Sequence, residues 1–332
     1  MAGKAGKLEW RCVNEVRCTP MDTLVNVAIP VFGIVLMGYI AGRFRVLGPE
    51  SALALNRFVY YFALPPVLFV FTARAPISSV LYWPFIGAFV GGSAVTVLLA
   101  LLIGRLWYRH ERERLTLHVL TAVFSNTAYM GIPLFLTAFG PDGALPAIIA
   151  TTCAFTLLIG GAIASLEAAR AVGPSFAQVV VQVARVLVRN PLLVSPFLGL
   201  AFSWAGLPIP KAAGNFLDLM AASAGPAALF ALGLSLVSQN LKGDAGEVGF
   251  LVVMKLVVHP FVTWVLVETV FPMPPRWSQA AVILAALPVG ALVFVIAQQY
   301  TVFVQRASAA IVASTALSVA TISLLLIWFK AS

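Results

Sequence analysis

Apolar runs of about 20 residues, separated by short polar stretches, make up most of this chain. About 20 residues of α-helix span the roughly 30 Å hydrocarbon core of a bilayer. Windows of that length predict ten transmembrane helices, and the predicted fold class is an all-α polytopic membrane protein. The predicted bounds are 21–44, 50–73, 80–106, 116–139, 143–168, 190–206, 212–238, 247–270, 277–300 and 305–330.

Helix-breaking residues lie near the middle of the fourth and ninth predicted helices. The fourth contains Phe124-Ser-Asn126-Thr-Ala-Tyr129-Met-Gly131-Ile-Pro133, and the ninth contains Ala285-Ala-Leu-Pro288-Val-Gly290. A bilayer has no water for the freed backbone groups, so a broken helix persists there only where protein or a hydrated cavity supplies partners. Corresponding breaks in two halves of a chain indicate the substrate site of a transporter.

The order of the elements predicts an inverted repeat of five plus five helices, with helices four and nine as the broken crossover pair. The spacing Pro30-Val-Phe-Gly33 returns as Pro196-Phe-Leu-Gly199, and Pro66-Val-Leu-Phe69 is echoed by Pro226-Ala-Ala-Leu-Phe230. Because five is odd, the second half enters the membrane from the opposite side. The predicted organisation is a hydrophilic tail (1–20), a first repeat (21–168), a cytoplasmic linker (169–189) and a second repeat (190–332).

Composition excludes a soluble globular domain. Hydrophobic residues make up 61% of the chain and charged residues 10%, against about 25% charged in typical soluble domains. The mean hydropathy is +0.98. The net charge of +9 is attributed to membrane topology, since nucleic-acid binding would need a soluble basic face.

Basic residues concentrate in the loops of one side, which predicts that this side is cytoplasmic and that both termini lie outside. The basic residues of the predicted cytoplasmic side are Arg43, Arg45, Arg57, Arg105, Arg109, Arg112, Arg114, Arg170, Arg185, Arg189, Lys242 and Arg306. The tail Met1–Pro20 carries four basic residues against this rule and has no apolar signal-peptide core. The hypothesis is that Met21 is the natural start and the tail is an extension.

Sequence patterns do not support an enzyme or a metal site. Three cysteines make no framework, the histidines His110, His118 and His259 form no metal-ligand spacing, and no nucleophile-elbow, zinc-protease or phosphate-loop motif occurs. The expectation is a protein without cofactor or metal.

Polar residues at membrane depth are the candidate ligands. Asn126 lies about one turn before Gly131 and Pro133, and its amide suits a ligand, although a helix-to-helix hydrogen bond of about 0.6 kcal/mol is the structural alternative. Half-helices expected to begin just after Pro133 and Pro288 would aim positive dipole ends at an anion. The expected substrate contacts are Asn126, Tyr129, Gly131, Pro133, Pro288, Val289, Gly290 and Lys255.

Lys255 is the residue most costly to insert, at about 2.5–3.5 kcal/mol or more for a charge within a membrane helix. It would neutralise the substrate anion, replace a coupling cation, or reach the interface as a snorkelling side chain. Asn56, Asp218, Gln298 and Gln299 are pathway candidates with structural roles as their alternative.

Several strings in this chain resemble the auxin efflux carrier family in its bacterial, malate- and malonate-permease-like branch. They are the string quoted around Asn126, Lys255-Leu-Val-Val-His-Pro260, Asn190-Pro191, Gly225-Pro226 and Leu232-Gly-Leu-Ser235. The resemblance runs from Met21 to the end of the chain. It implies crossing helices four and nine, a scaffold of helices one, two, six and seven, a moving bundle of the others, elevator-like alternating access, and Asn126 as carboxylate contact.

The short link between helices five and six departs from plant auxin carriers, which have a long hydrophilic segment there, so malate or malonate is expected rather than auxin. The expected partners are a small carboxylate, the lipid bilayer and a second copy through the scaffold helices, with no nucleic acid, in the inner membrane. Two alternatives stay open: a sodium-coupled symporter of the bile-acid type, which would need acidic or amide oxygen ligands near the crossover, and a membrane receptor that does not transport.

Overall fold

A computed structural model describes residues 29–170, 181, 184–185, 188–237 and 244–331, and most of these residues are helical. The helices are α1 (Ile29–Arg43), α2 (Pro49–Arg74), α3 (Trp83–Leu106), α4 (Arg112–Val123), α5 (Thr127–Phe139), α6 (Ala144–Arg170), α7 (Pro191–Trp204), α8 (Lys211–Leu236), α9 (Ala245–Thr269), α10 (Pro275–Ala285), α11 (Leu292–Tyr300) and α12 (Val304–Ala331). A short helical turn, Ile77–Val80, precedes α3. The predicted tail, and most of the predicted linker at 169–189, lie outside the described residues.

Membrane-length helices confirm a polytopic membrane protein. Within the described ranges, six helical segments are long and apolar enough to cross a bilayer: α2, Ile77–Leu106, α6, α8, α9 and most of α12. Ile29–Arg43, Thr127–Phe139 and Pro191–Trp204 are shorter apolar helices. The arrangement of ten spans in two inverted repeats stays a prediction.

Two predicted helices are each divided into two. The segment 116–139 becomes α4 and α5, and 277–300 becomes α10 and α11, with extended backbone between the halves. The expected position of the first break was wrong, because the new half-helix begins at Thr127 and Pro133 lies inside it. Ser125, Asn126 and Thr127 have short polar side chains that favour non-helical backbone, which accounts for the earlier interruption.

Prolines in three helices follow a turn of π-helix instead of breaking the helix. These wide turns are Val59–Ala63 before Pro65, Thr127–Gly131 before Pro133, and Met254–Val258 before Pro260. Proline cannot donate to the carbonyl four residues earlier and its ring collides with that carbonyl, so a wider turn relieves the conflict. The helices α2 and α9 therefore continue through their prolines.

Four helices, α1, α2, α7 and α8, pack against one another. Glycines allow the close contact of α1 with α8: a Cβ on Gly38 would lie 2.2 Å from the carbonyl oxygen of Phe230, and one on Gly233 would lie 1.8 Å from that of Val35. Small residues at such contacts let helix backbones approach in a membrane. These four helices correspond to the ones that the family resemblance assigns to a scaffold.

The helices α3, α4, α9, α10, α11 and α12 form a second group, and α6 packs on α4. The half-helix α5 contacts both α6 and α8, while α6 also touches α2 and α7. The first broken segment therefore joins the second group, through α4, to the four-helix group, through α5.

One end of the second group carries paired charges. Arg170 at the end of α6 pairs with Glu113 of α4 at 3.1 Å, and Arg306 of α12 pairs with Glu247 of α9 at 2.6 Å. Arg170 also donates to the carbonyl of Tyr300, the last residue of α11. These helix ends therefore share one face, and its assignment to the cytoplasm stays a prediction.

Candidate functional site

The two broken segments satisfy each other's backbone. Asn126 N donates to Pro288 O at 2.9 Å, and Gly290 N donates to Phe124 O at 2.9 Å, so that Ser125 and Val289 form an antiparallel bridge. Freed backbone groups at membrane depth need internal partners, and each break supplies them to the other. The two breaks, Phe124–Asn126 and 286–291, are called the crossover below.

A third helix completes this arrangement. Val289 N donates to the Oγ of Ser314 on α12 at 3.1 Å, and the Ser314 hydroxyl in turn donates to Ile311 O at 3.2 Å. The backbone of the second break is thus held by α12 as well as by the first break. Sequence reasoning missed Ser314, whose only signal is a buried serine on an apolar helix.

Glycine is required where the two breaks touch. A Cβ on Gly290 would lie 2.5 Å from the ring of Phe124, and one on Gly131 would lie 2.9 Å from a methyl group of Leu287. Gly290 is therefore a close-contact position within the crossover, and Gly131 is one where α5 packs against it.

Three consecutive polar side chains, two in the first break and one at the start of α5, are buried without partners. Ser125 Oγ, Asn126 Nδ2 and Thr127 Oγ1 have no hydrogen-bond partner among the described residues, and these residues are 1%, 3% and 0% exposed. A buried polar atom left unpaired costs about 1–3 kcal/mol. Such groups persist where a ligand uses them. Sequence reasoning named Asn126 but passed over its neighbours Ser125 and Thr127.

The positive end of α5 begins at the same place. Asn126 is the residue before the first helical residue, and its carbonyl accepts from Met130 N and Gly131 N at 3.1 and 3.0 Å. The first N–H groups of a helix have no intrahelical acceptor and carry partial positive charge. The second half-helix, α11, begins at Leu292, four residues after Pro288.

Tyr129 and Pro133 connect the first break to the four-helix group. The hydroxyl of Tyr129 donates to Asn56 O of α2 at 3.3 Å, and a Cβ on Gly225 of α8 would lie 3.7 Å from Pro133 Cβ. The Asn56 amide donates to Ser235 Oγ of α8 at 2.8 Å. These residues lie where α5 contacts α2 and α8.

Lys255 lies inside the protein and does not snorkel. It is fully buried in the π-turn of α9, and its Nζ donates to Ala285 O, the last residue of α10, at 2.5 Å. His259 Nδ1 lies 3.3 Å from the same Nζ, and its Nε2 lies 3.3 Å from Ser93 Oγ, which donates to Phe89 O. The lysine thus contacts the helix end that leads into the second break.

Three pathway candidates lie elsewhere. Asp218 of α8 forms a bidentate pair with Arg74 of α2 at 2.8 and 2.9 Å, half exposed. Gln298 and Gln299 are exposed at the end of α11. The structure therefore does not bring these three side chains to the crossover, and a role for them in the pathway stays a prediction.

A histidine cluster that spacing did not reveal lies at the charged end of the second group. Glu247 Oε1 accepts from His110 Nε2 at 2.5 Å and from His118 Nδ1 at 2.7 Å, while Oε2 pairs with Arg306. The three potential ligand atoms lie within 4.8 Å of one another. The two short distances are hydrogen-bond lengths and Arg306 already balances the carboxylate, so the residues fit a hydrogen-bonded clamp better than a metal ion.

Membrane-length helices, with two breaks hydrogen-bonded at membrane depth, define a multi-pass membrane protein of the transporter class. The family model described as "Membrane transport protein" matches residues 23–326. The chain therefore belongs to this family, which is that of the auxin efflux carriers.

The matches to curated relatives cover most of this chain. A Rhizobium meliloti (strain 1021) protein named "Putative malonate transporter" is 34% identical over 306 residues, which are 92% of this chain and 96% of that protein. The uncharacterized transporter YfdV of Escherichia coli K12 is 23% identical over 86% of this chain and 91% of its own. The lysosomal cholesterol signaling protein of Mus musculus is 28% identical over 86% of this chain but 35% of its own length.

Proposed function

We propose that this protein transports small carboxylates such as malonate or malate across the bacterial inner membrane by alternating access, with the crossover as the binding site. The observation that carries the proposal is the run Ser125, Asn126 and Thr127, buried and unpartnered at the positive end of α5. Buried donors without acceptors suit a ligand that is rich in acceptors, and an ionised carboxylate has only acceptors.

The carboxylate is bound from two sides. Asn126 Nδ2, the two neighbouring hydroxyls and the first N–H groups of α5 are the donors on one side. Tyr129, Gly131 and Pro133 shape this side. Pro288, Val289 and Gly290 shape the other side with backbone and apolar surface, and Lys255 behind α10 contributes positive charge.

Burial of the donors supports a conformational cycle. Protein covers Ser125, Asn126 and Thr127, and α5 packs on α8 of the four-helix group. A substrate reaches these atoms only when the crossover and the four-helix group separate. Movement of the second group of helices past the four-helix group, as in an elevator, would expose the site to each side of the membrane in turn.

The substrate class draws on the relatives as well as on the chemistry. The Rhizobium meliloti protein, whose printed name includes malonate, shares 34% identity over almost the full length. A dicarboxylate would place one carboxylate on the α5 donors and the other toward Lys255. Both termini outside the cell and association through α1, α2, α7 and α8 belong to the same proposal.

The test is counterflow in liposomes. Purified protein reconstituted with internal malonate should accumulate external labelled malonate, and unlabelled malonate or malate should compete. Malonamide, the neutral analogue of the same size, should not compete, because its amides carry no charge for the positive helix end to attract. Absence of counterflow with intact binding would favour a receptor, and equal competition by malonamide would contradict an anion site.

A further inference from the structure

A cluster of titratable side chains lies outside the crossover, at the charged end of the second group. Glu247 of α9 accepts from His118 of α4 and from His110 in the connection between α3 and α4, and it pairs with Arg306 of α12. These four residues are called the histidine clamp below. The chain has three histidines, and two of them belong to the clamp. The proposed transport step uses neither of them.

The histidine clamp is aligned with the crossover on three helices. Three of its residues each lie eight positions before a residue at or beside the crossover, and eight residues of helix are about 12 Å long. The helices α4, α9 and α12 therefore run in the same direction from the clamp to the crossover, and the clamp joins them about two turns from the proposed binding site. The pairs are His118 with Asn126, Glu247 with Lys255, and Arg306 with Ser314.

The two histidines differ in what an added proton would meet. Both direct an N–H at Glu247 Oε1, so an added proton goes to the other ring nitrogen. In His118 that nitrogen is Nε2, which is buried without a partner, and a Cβ on Gly104 of α3 would lie 3.3 Å from it. A proton there would be a buried donor without an acceptor. The side chain of His110 is 7% exposed and its Nδ1 is not among the buried unpartnered atoms, so the added proton belongs on His110.

The groups around His110 suit a positive charge. Tyr108 stacks on its ring with the centroids 5.6 Å apart, and burial, followed by the charges of Glu247 and Asp244, raises the pKa of Tyr108, so that the tyrosine is neutral. The negative charges nearest the ring are therefore those of the clamp carboxylate and the start of α9. The charged and titratable side chains near His110 are Tyr108, Arg109 and Glu111 of its own connection, His118 of α4, Asp244 and Glu247 at the start of α9, and Arg306 of α12.

We propose that His110 is a proton-binding site, and that its protonation tightens the histidine clamp and strengthens carboxylate binding at the crossover. The proton passes from solution to Nδ1, while Nε2 keeps its hydrogen bond to Glu247, which becomes charge-assisted on both sides. The added positive charge attracts an anion at the crossover. This last step rests on the proposed function, whereas the proton site itself does not.

Thermal unfolding at two pH values tests the proton site. The contact with Glu247 exists in the folded protein, so a protonated histidine stabilises the fold at low pH and this stabilisation is lost as the pH rises. In His110→Gln the amide keeps a donor at the position of Nε2 but binds no proton. The Tm of the wild type should exceed that of His110→Gln by about 2 °C or more near pH 6, and the difference should shrink toward about pH 8.

Glu113→Gln is the matched control for this titration. Glu113 is a carboxylate of α4 at the same end of the second group, where it pairs with Arg170 instead of a histidine. Its variant should keep the wild-type change of Tm between the two pH values. A change lost in both variants would show that the clamp is not its source.

Histidine NMR distinguishes the two rings of the clamp. Protein with isotope-labelled histidine should show an imidazole that titrates between about pH 6 and pH 8, and this signal should be absent from His110→Gln. It should remain in His118→Asn, whose amide takes the position of Nδ1.

Malonate binding connects the clamp to the crossover. The affinity of the wild type should rise about threefold to tenfold from about pH 8 to about pH 6.5, relative to the change shown by His110→Gln. The comparison of the two proteins cancels the titration of malonate itself. Glu113→Gln should follow the wild type.

The outcomes separate the proton site from the proposed function. Equal Tm profiles for the wild type and His110→Gln, or a titrating signal that His118→Asn removes, would overturn the inference and leave carboxylate transport standing. Equal changes of malonate affinity in both proteins would overturn the link to the crossover. A titrating His110 in a protein that neither binds nor transports carboxylates would overturn the proposed function and leave the proton site standing. Should His110→Gln fail to fold, a wild type without a titrating imidazole would still overturn the inference.

Discussion

The two breaks of the crossover share one backbone arrangement but differ in their side chains. The first break carries Ser125 and Asn126 and leads into Thr127, all with unpartnered polar atoms. The second runs Ala286-Leu-Pro288-Val-Gly290-Ala291 and has no polar side chain. Its backbone is bonded to Phe124, Asn126 and Ser314.

This difference indicates a division of roles. In the second break Pro288 O, Val289 N and Gly290 N are all hydrogen-bonded within the protein, and Lys255 binds the helix end that leads into the break. These backbone groups therefore stabilise the fold, while the break contributes shape and apolar surface to the proposed site. The first break keeps donors unsatisfied, at a cost of about 1–3 kcal/mol for each buried group. Under the proposed function, the stability lost at the first break is available as binding energy for a carboxylate.

Gly290→Val should have the largest effect, because it removes the contact on which both breaks depend. The new side chain would collide with the Phe124 ring, where a Cβ alone would be 2.5 Å away. Overpacking costs typically reach about 3 kcal/mol, and the bridge to Phe124 would be lost in addition. Thermal unfolding of the detergent-solubilised protein should show a lowered Tm.

Gly161→Val is the matched control for this substitution. Gly161 is an exposed glycine of α6, and a Cβ there would meet no atom within 4 Å. Its Tm should stay close to that of the wild type. Equal falls in Tm for Gly290→Val and Gly161→Val would show that loss of the crossover contact does not cause the destabilisation.

Asn126→Ala should separate binding from stability at the first break. It removes one hydrogen bond to a charged group, worth about 1.5–3 kcal/mol, so malonate should bind about tenfold to a hundredfold more weakly. The Tm without ligand should not fall, because the lost Nδ2 has no partner to lose. Thermal shift with and without malonate measures both quantities.

Asn190→Ala should show the opposite pattern. Asn190 caps α7 by accepting from Leu192 N at 2.9 Å, and a lost cap costs about 1 kcal/mol. Its Tm should fall while malonate affinity is unchanged. If Asn126→Ala lowered the Tm and left malonate affinity normal, as Asn190→Ala should, the proposed binding site would be contradicted.

Ser314→Ala should have the smallest effect of the three crossover substitutions and tests the second break. It leaves Val289 N buried without an acceptor, which costs about 1–2 kcal/mol of stability, and it should leave malonate affinity within about twofold of the wild type. Ser318→Ala on the same helix removes a buried hydroxyl that donates only to Thr315 O, and it should lower the Tm less. Weaker malonate binding by Ser314→Ala would show that backbone groups of the second break bind the substrate directly, which would contradict this division of roles.

Sequence reasoning located the crossover because proline and glycine near the middle of a membrane-length run indicate a helix break, and such a break needs hydrogen-bond partners inside the bilayer. It placed the start of α5 after Pro133 instead of at Thr127, because it assigned the interruption to the proline. The structure shows that a π-turn absorbs Pro133, while the polar run before it interrupts the helix. The prolines of α2 and α9 are accommodated in the same way.

The sequence alone located the long apolar helices, the two interrupted helices and a lysine within a membrane helix, whereas the start of α5 and the burial of Lys255 came from the structure. The reason is that a bilayer requires about 20 apolar residues for each spanning helix and makes every break and charge costly.

Tertiary structure alone decided which groups meet. The bonds from Asn126 to Pro288, from Lys255 to Ala285 and from His118 to Glu247 join residues far apart in sequence. Local preference carries no information on such pairings, because they form only when packed helices bring unsatisfied groups within hydrogen-bonding distance.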